Sequence, residues 1–130
     1  MPAFQTTHRL RFNDTDRLGH VNNAVFAVML EQGRSEMAFE AGLPLGGDTT
    51  SLVIVRLELD FVREMMWPGD VLVETEVLRL GGRSFTLQQR LLHGGDVCGR
   101  AQTVLVILDQ ATKRAISIDP WRTALQAFQP

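Results

Sequence analysis

One helical segment, apolar over most of its surface, is followed by four alternating segments, and this order restricts the fold more than any other feature. Ala24-Val25-Phe26-Ala27-Val28-Met29-Leu30-Glu31 opens the helix. Phe26, Met29, Leu30, Gly33 and Met37 recur at spacings of three and four, which gathers them on one side. Asn22 or Asn23 is the N-cap, because an asparagine oxygen can accept from an otherwise unpaired N–H of the first turn. Gly42 and then Pro44 give the stop. A helix this apolar needs burial around much of its circumference. A sheet wrapped around it supplies that burial.

The flanking segments provide such a sheet. Residues 4–13 read as a first strand of mixed polarity. After the Gly46-Gly47-Asp48 loop, Val53, Val55, Leu57, Leu59 and Phe61 alternate with Arg56, Glu58 and Asp60. Trp67-Pro68-Gly69-Asp70 is a turn. In residues 71–80, Val71, Val73, Thr75 and Val77 alternate with Glu74 and Glu76. Gly81-Gly82 signals a hairpin. Phe85, Leu87, Gln89 and Leu91 then alternate with Ser84, Thr86, Gln88 and Arg90. His93-Gly94-Gly95-Asp96 turns the chain into a last strand over 97–108. Short turns between these runs imply antiparallel neighbours. Asp119-Pro120 fits an N-cap followed by proline at the first helical position, hence a short C-terminal helix. The reading is an α+β chain with residues 1–130 as a single domain.

The 130 residues allow a sizeable core, and a 45% hydrophobic content excludes disorder. The formal charge of −2 points to neither a nucleic-acid nor a membrane surface. The single cysteine, Cys98, cannot form an internal disulfide and fits a reducing compartment. No apolar run reaches transmembrane length and the N-terminus lacks a signal-peptide pattern, so a cytoplasmic location is expected. His8, His20 and His93 have no metal-ligand spacing with Cys98. A Gly-x-Ser-x-Gly elbow and a phosphate-cradling glycine loop are both absent. No metal or cofactor is expected.

The chemistry-bearing stretch is Asp14-Thr15-Asp16-Arg17-Leu18-Gly19-His20-Val21-Asn22-Asn23. It sets carboxylates one turn of chain before a helix N-terminus, where free N–H groups and the helix dipole favour negative charge. Asp16 could act there as nucleophile or base, and it equally fits a turn residue. Asp14 shares its side of an extended chain but is better placed to orient Arg17 or a loop N–H. Asn22 and Asn23 are helix caps. His20 could touch a substrate or be satisfied by neighbours. Glu31 lies two turns into the helix, able to pair with Arg34 at i,i+3. Arg63 and Arg83 could take phosphates through their forked donors, or remain solvated turn charges. Cys98 falls in a strand and reads as core.

These residues carry a resemblance to the hotdog-fold acyl-CoA thioesterases, in particular the 4-hydroxybenzoyl-CoA thioesterase branch. It lies in Arg11-Phe12-Asn13-Asp14-Thr15-Asp16, Gly19-His20-Val21-Asn22-Asn23-Ala24, and Glu31 and Arg34 on the helix. Val62-Arg63, Trp67-Pro68-Gly69-Asp70 and Leu80-Gly81-Gly82-Arg83-Ser84-Phe85 add to it. The resemblance spans about residues 5–125. It implies a long central helix wrapped by a curved five-stranded antiparallel sheet, and hydrolysis of acyl-CoA thioesters to free acid and coenzyme A. It also implies homodimers assembling into homotetramers, with sites at subunit interfaces. By the motif, the catalytic aspartate falls on Asp16, and the carbonyl-polarising N–H on Asn23. His20, Asn22, Phe26, Arg63 and Arg83 become substrate-binding candidates, and Glu31 the runner-up carboxylate. Phe26 departs from the tyrosine of many relatives. The alternative is a non-catalytic module of the same fold that binds an acyl thioester or acyl carrier. A hydratase on this scaffold is disfavoured, since His20 lies in a thioesterase-like motif.

Overall fold

The computed structural model describes residues 3–130. In order they form β1 (Phe4–Arg9), a 3-10 turn (Phe12–Asp14), α1 (Asn23–Glu40), β2 (Thr50–Phe61), β3 (Asp70–Leu80), β4 (Ser84–His93), β5 (Asp96–Asp109), β6 (Arg114–Ala115) and α2 (Asp119–Gln126). The strands make one antiparallel sheet in the order β1-β3-β4-β5-β2. The two-residue β6 pairs with β5 as a sixth strand beside the expected five. Among the described residues, no helix is long and apolar enough to cross a membrane.

α1 lies across one face of this sheet, as the wrapped-helix reading requires. Phe26, Met29, Leu30, Gly33 and Met37 are all buried. Each large apolar side chain removed from water contributes roughly 1.5–3 kcal/mol. The N-terminal half of the helix packs with Val71, Val73 and Leu91, and the C-terminal half with Val77, Phe85 and Ile107. A polar seam crosses between these halves. Gln89 is buried and donates through Nε2 to Leu30 O (3.0 Å) and Thr75 Oγ1 (2.9 Å). That orientation leaves its Oε1 to accept from Arg34 Nη1 at 3.3 Å. Arg34 is 5% exposed, and its burial lowers its pKa from the ordinary arginine value, with Glu31 opposing. Arg34 therefore turns inward to an amide, and the expected Glu31–Arg34 pair is replaced by this contact. Gly33 makes the close approach possible: a Cβ there would stand 2.6 Å from Val73 Cγ1.

Four other expectations change. β1 ends at Arg9, and the chain coils into the 3-10 turn before Asp14 because that carboxylate draws back the Arg11 backbone N–H (2.8 Å). β2 does not neighbour β3; it pairs with β5 at the far edge. The connecting residues 62–69 run from β5 to the loop before α1: the Val62 and Arg63 N–H groups donate to Cys98 O, and Val21 N donates to Met65 O. Such a link satisfies its polar backbone without a hairpin. A register shift between Ile54 and Arg56 breaks the alternation of β2, and Val55 and Phe61 are 58% and 50% exposed. Finally, α2 is capped by Ile118, with Asp119 and Pro120 already inside its first turn.

Candidate active site

Local backbone chemistry shapes the loop between the 3-10 turn and α1. Thr15 and Val21 form an antiparallel bridge, and Asp16 N donates to His20 O at 2.8 Å. Gly19, at φ +85°, lets the tip close, with its N–H on Asp16 O at 3.1 Å. Asp16 Oδ1 accepts from Leu18 N (2.8 Å) and His20 N (3.1 Å), which fixes the exposed carboxylate at the base of the tip. Oδ2 has no hydrogen-bond partner among the described residues.

Asp14 holds this loop from beneath. Its carboxylate is 1% exposed and accepts from Arg11 N (2.8 Å), Nε (3.2 Å) and Nη2 (2.9 Å), with His8 Nε2 at 3.4 Å. Burial alone would raise its pKa. The hydrogen bonds from Arg11 and His8 outweigh that and hold it below the usual value. Asp14 O also accepts from Asn22 N at 2.9 Å, joining the loop to the helix start. Asp14 thus has the supporting role expected of it, with Arg11 as the cation in place of Arg17.

Asn22 is the N-cap, its side chain accepting from Ala24 N at 2.9 Å. Asn23 is the first helical residue, and its N–H has no hydrogen-bond partner among the described residues. A cleft of about 490 Å³ opens beside it, lined by Asp16, His20, Asn22, Asn23, Phe26 and Arg63 among others. Phe26 and Phe61 meet edge to face at 5.1 Å along its apolar side. His20 Nε2 lies 3.3 Å from Glu64 Oε2, and Arg63 Nη1 lies 2.8 Å from Asp96 Oδ2. One concave surface is thus lined by Asp16, whose carboxylate keeps one oxygen free, by Asn23, whose helix N-terminal N–H is unpaired among the described residues, and by the apolar pair Phe26 and Phe61.

Six of the candidates therefore meet in one cleft, and two do not. Arg83 sits on the β3–β4 turn, at the opposite end of β3 from this loop, roughly 30 Å away at about 3.3 Å per strand residue. Glu31 borders a separate cavity of about 190 Å³ with Arg34 and Ser35. Phe61, Val62 and Glu64 line the cleft without having been candidates. Phe61 reaches it from the end of β2, and Val62 and Glu64 from the connecting residues 62–69, whose path no local spacing signals. Cys98 is buried, and burial raises its thiol pKa against the opposing effects of the His93 backbone and Arg63.

Comparison with known proteins agrees with this architecture. A predicted thioesterase from Bacillus stearothermophilus is 33% identical and superposes with a TM-score of 0.87, covering 98% of each chain. A 1,4-dihydroxy-2-naphthoyl-CoA thioesterase from Synechocystis shares the fold at 20% identity and TM-score 0.85, covering 95% of this chain and 96% of its own. The uncharacterized protein YsmA of Bacillus subtilis is 23% identical over 111 residues, 83% of this chain and 74% of its own. The helix wrapped by an antiparallel sheet is the hotdog fold of these thioesterases. The family profile of the thioesterase-like superfamily matches residues 10–127, and the chain belongs to that superfamily.

Proposed function

We propose that this protein hydrolyses acyl-CoA thioesters to a free acid and coenzyme A. The observation that carries this reading is one cleft lined by both Asp16, whose carboxylate keeps an oxygen free, and Asn23, whose N–H is unpaired among the described residues. Attack on a thioester carbonyl places negative charge on its oxygen, and a helix N-terminal N–H is suited to hold that charge. Asp16 either draws a proton from an attacking water or attacks the carbonyl carbon itself, forming an acyl anhydride that water then cleaves. In both routes the C–S bond breaks and the thiol leaves with a proton derived from water. Phe26 and Phe61 would face the acyl group. His20 and Asn22 would border the thioester.

Arg63 is exposed, and its surface pair with Asp96 is worth only about 0–1 kcal/mol, so it can exchange that partner for a coenzyme A phosphate. Arg83 is too far along β3 to serve the cleft of its own chain. It would serve a cleft on a neighbouring copy. We read the edge strand β2, with Ile54, Val55, Leu57 and Phe61 exposed, as the surface where a second copy pairs, with dimers joining into tetramers. Phe61 belongs both to that edge and to the cleft, so a second copy would complete one wall of the site.

The test is thiol release from a panel of acyl-CoAs by wild type and Asp16→Asn. Turnover is expected in the wild type, falling by about 10²–10⁴-fold in the variant with its fold intact. A near-normal variant would remove Asp16 from the chemistry. Absence of turnover with every thioester would favour the acyl-thioester binding module.

A further inference from the structure

His93 ends β4, outside the cleft, and its ring is held in an unusual way. Nδ1 lies 3.0 Å from Asp70 O and Nε2 lies 3.0 Å from Met66 O. Both neighbours are carbonyl oxygens, which only accept. A neutral imidazole has one N–H and can satisfy one of them, whereas the imidazolium donates to both. The ring also lies against the turn backbone: a Cβ on Gly69 would stand 2.8 Å from His93 Cε1. Gly69 itself sits at φ +124°, a conformation that side chains rarely adopt.

This turn leads directly to the reacting loop. Met66, whose carbonyl faces His93, forms an antiparallel bridge with His20. His20 gives its N–H to Asp16 Oδ1 and accepts from Asp16 N. Gly69 O also accepts from Leu10 N at 2.9 Å, so the turn holds the chain entering the site as well. We propose that His93, in its doubly protonated form, is a positioning residue that holds the 66–70 turn and, through Met66 and His20, sets the Asp16 carboxylate. The site thereby acquires a dependence on the charge of a residue that touches no substrate. The proposal rests on the reading of Asp16 as the reacting carboxylate. The hold is complete while the ring is charged and loses one of its two hydrogen bonds when a proton leaves.

The charged and titratable groups around the ring are few. Asp96 of β5 is its register partner, and Asp70 of β3 stands one residue before its β3 partner Val71, with Arg9 of β1 opposite Asp70. Arg63 is paired to Asp96, and Cys98 contacts the His93 backbone. Glu64, near the same turn, is occupied with His20.

The experiment is nitrogen-15 NMR of the imidazole rings between about pH 5 and 8, with backbone amides followed in parallel. Each of the three histidine rings is observed separately, so His8 and His20 serve as internal references. The expected result is a His93 ring protonated at both nitrogens at the acidic end. The Leu18 and His20 amides, the two donors to Asp16, should move as that ring loses its proton. In His93→Gln that component of their movement disappears, and amide exchange in residues 16–20 rises by about fivefold or more. If thioester turnover is present, kcat falls in this variant and loses the part of its pH dependence that follows the His93 ring, while KM holds. A His93 ring neutral throughout, or Leu18 and His20 amides that follow only the His20 ring, overturns the proposal. The wild-type titration decides the matter even if the variant fails to fold. None of the spectroscopic readouts depends on turnover, so a failure of the hydrolase reading would be seen separately.

Discussion

At the scale of single residues, the two aspartates of one short motif do opposite jobs because their surroundings differ. Asp16 is exposed with one oxygen free, while Asp14 is sealed and fully engaged. The pKa of Asp14 is lowered in the folded chain, so its contribution to stability is present above the ordinary aspartate value of 3.8 and fades as pH falls through its lower folded value. Asp14→Asn is therefore expected to cost roughly 1–3 kcal/mol at neutral pH, with the gap to wild type narrowing below pH 3.8. Urea denaturation at both pH values checks this, and a gap that persists in acid would remove the charge from the explanation. The motif residues were legible in the sequence because caps, Asx turns and carboxylate spacing are local chemistry. The cation that pairs with Asp14 was not, because the 3-10 turn that brings Arg11 back has no distinctive composition. Nor was Phe61 as a wall of the cleft. Its place is set by packing between segments distant in sequence.

At the scale of elements, α1 was legible in full and the strands nearly so, since periodicities of 3.6 and 2 reflect which side is buried. The position of β2 was not. A turn-like composition between β2 and β3 says that the chain changes direction, without saying which strand edge it meets next. Gly33 is the element-scale test. Alanine favours a helix interior over glycine by about 1 kcal/mol. The added Cβ would stand 2.6 Å from Val73 Cγ1, a buried and stiff β-branched side chain on the facing strand. Overpacking of this kind costs about 1–3 kcal/mol and outweighs the propensity gain, so Gly33→Ala should lower the melting temperature. A higher one would show that α1 can lift from the sheet at little cost.

At the scale of the whole molecule, the chain leaves one long strand edge with apolar side chains facing outward, a feature that proteins rarely leave uncovered. Sedimentation should find wild type as dimer or tetramer and Val55→Lys shifted towards monomer, with lost turnover because one wall of the cleft is missing. A monomeric wild type would remove β2 as the assembly surface. The Gln89 amide, meanwhile, acts at a distance. It grips the carbonyl of Leu30, seven residues after Asn23, and so fixes how far α1 is turned about its own axis. A slip of one residue would rotate the helix by about 100° and carry it about 1.5 Å along its axis, displacing the Asn23 N–H from its place at the helix start. Oil-like contacts alone tolerate such slips, since one methyl serves much like another. A buried amide that fits only one carbonyl does not, so the aim of the helix end is set in the interior of the molecule, two turns away from the atom it points at.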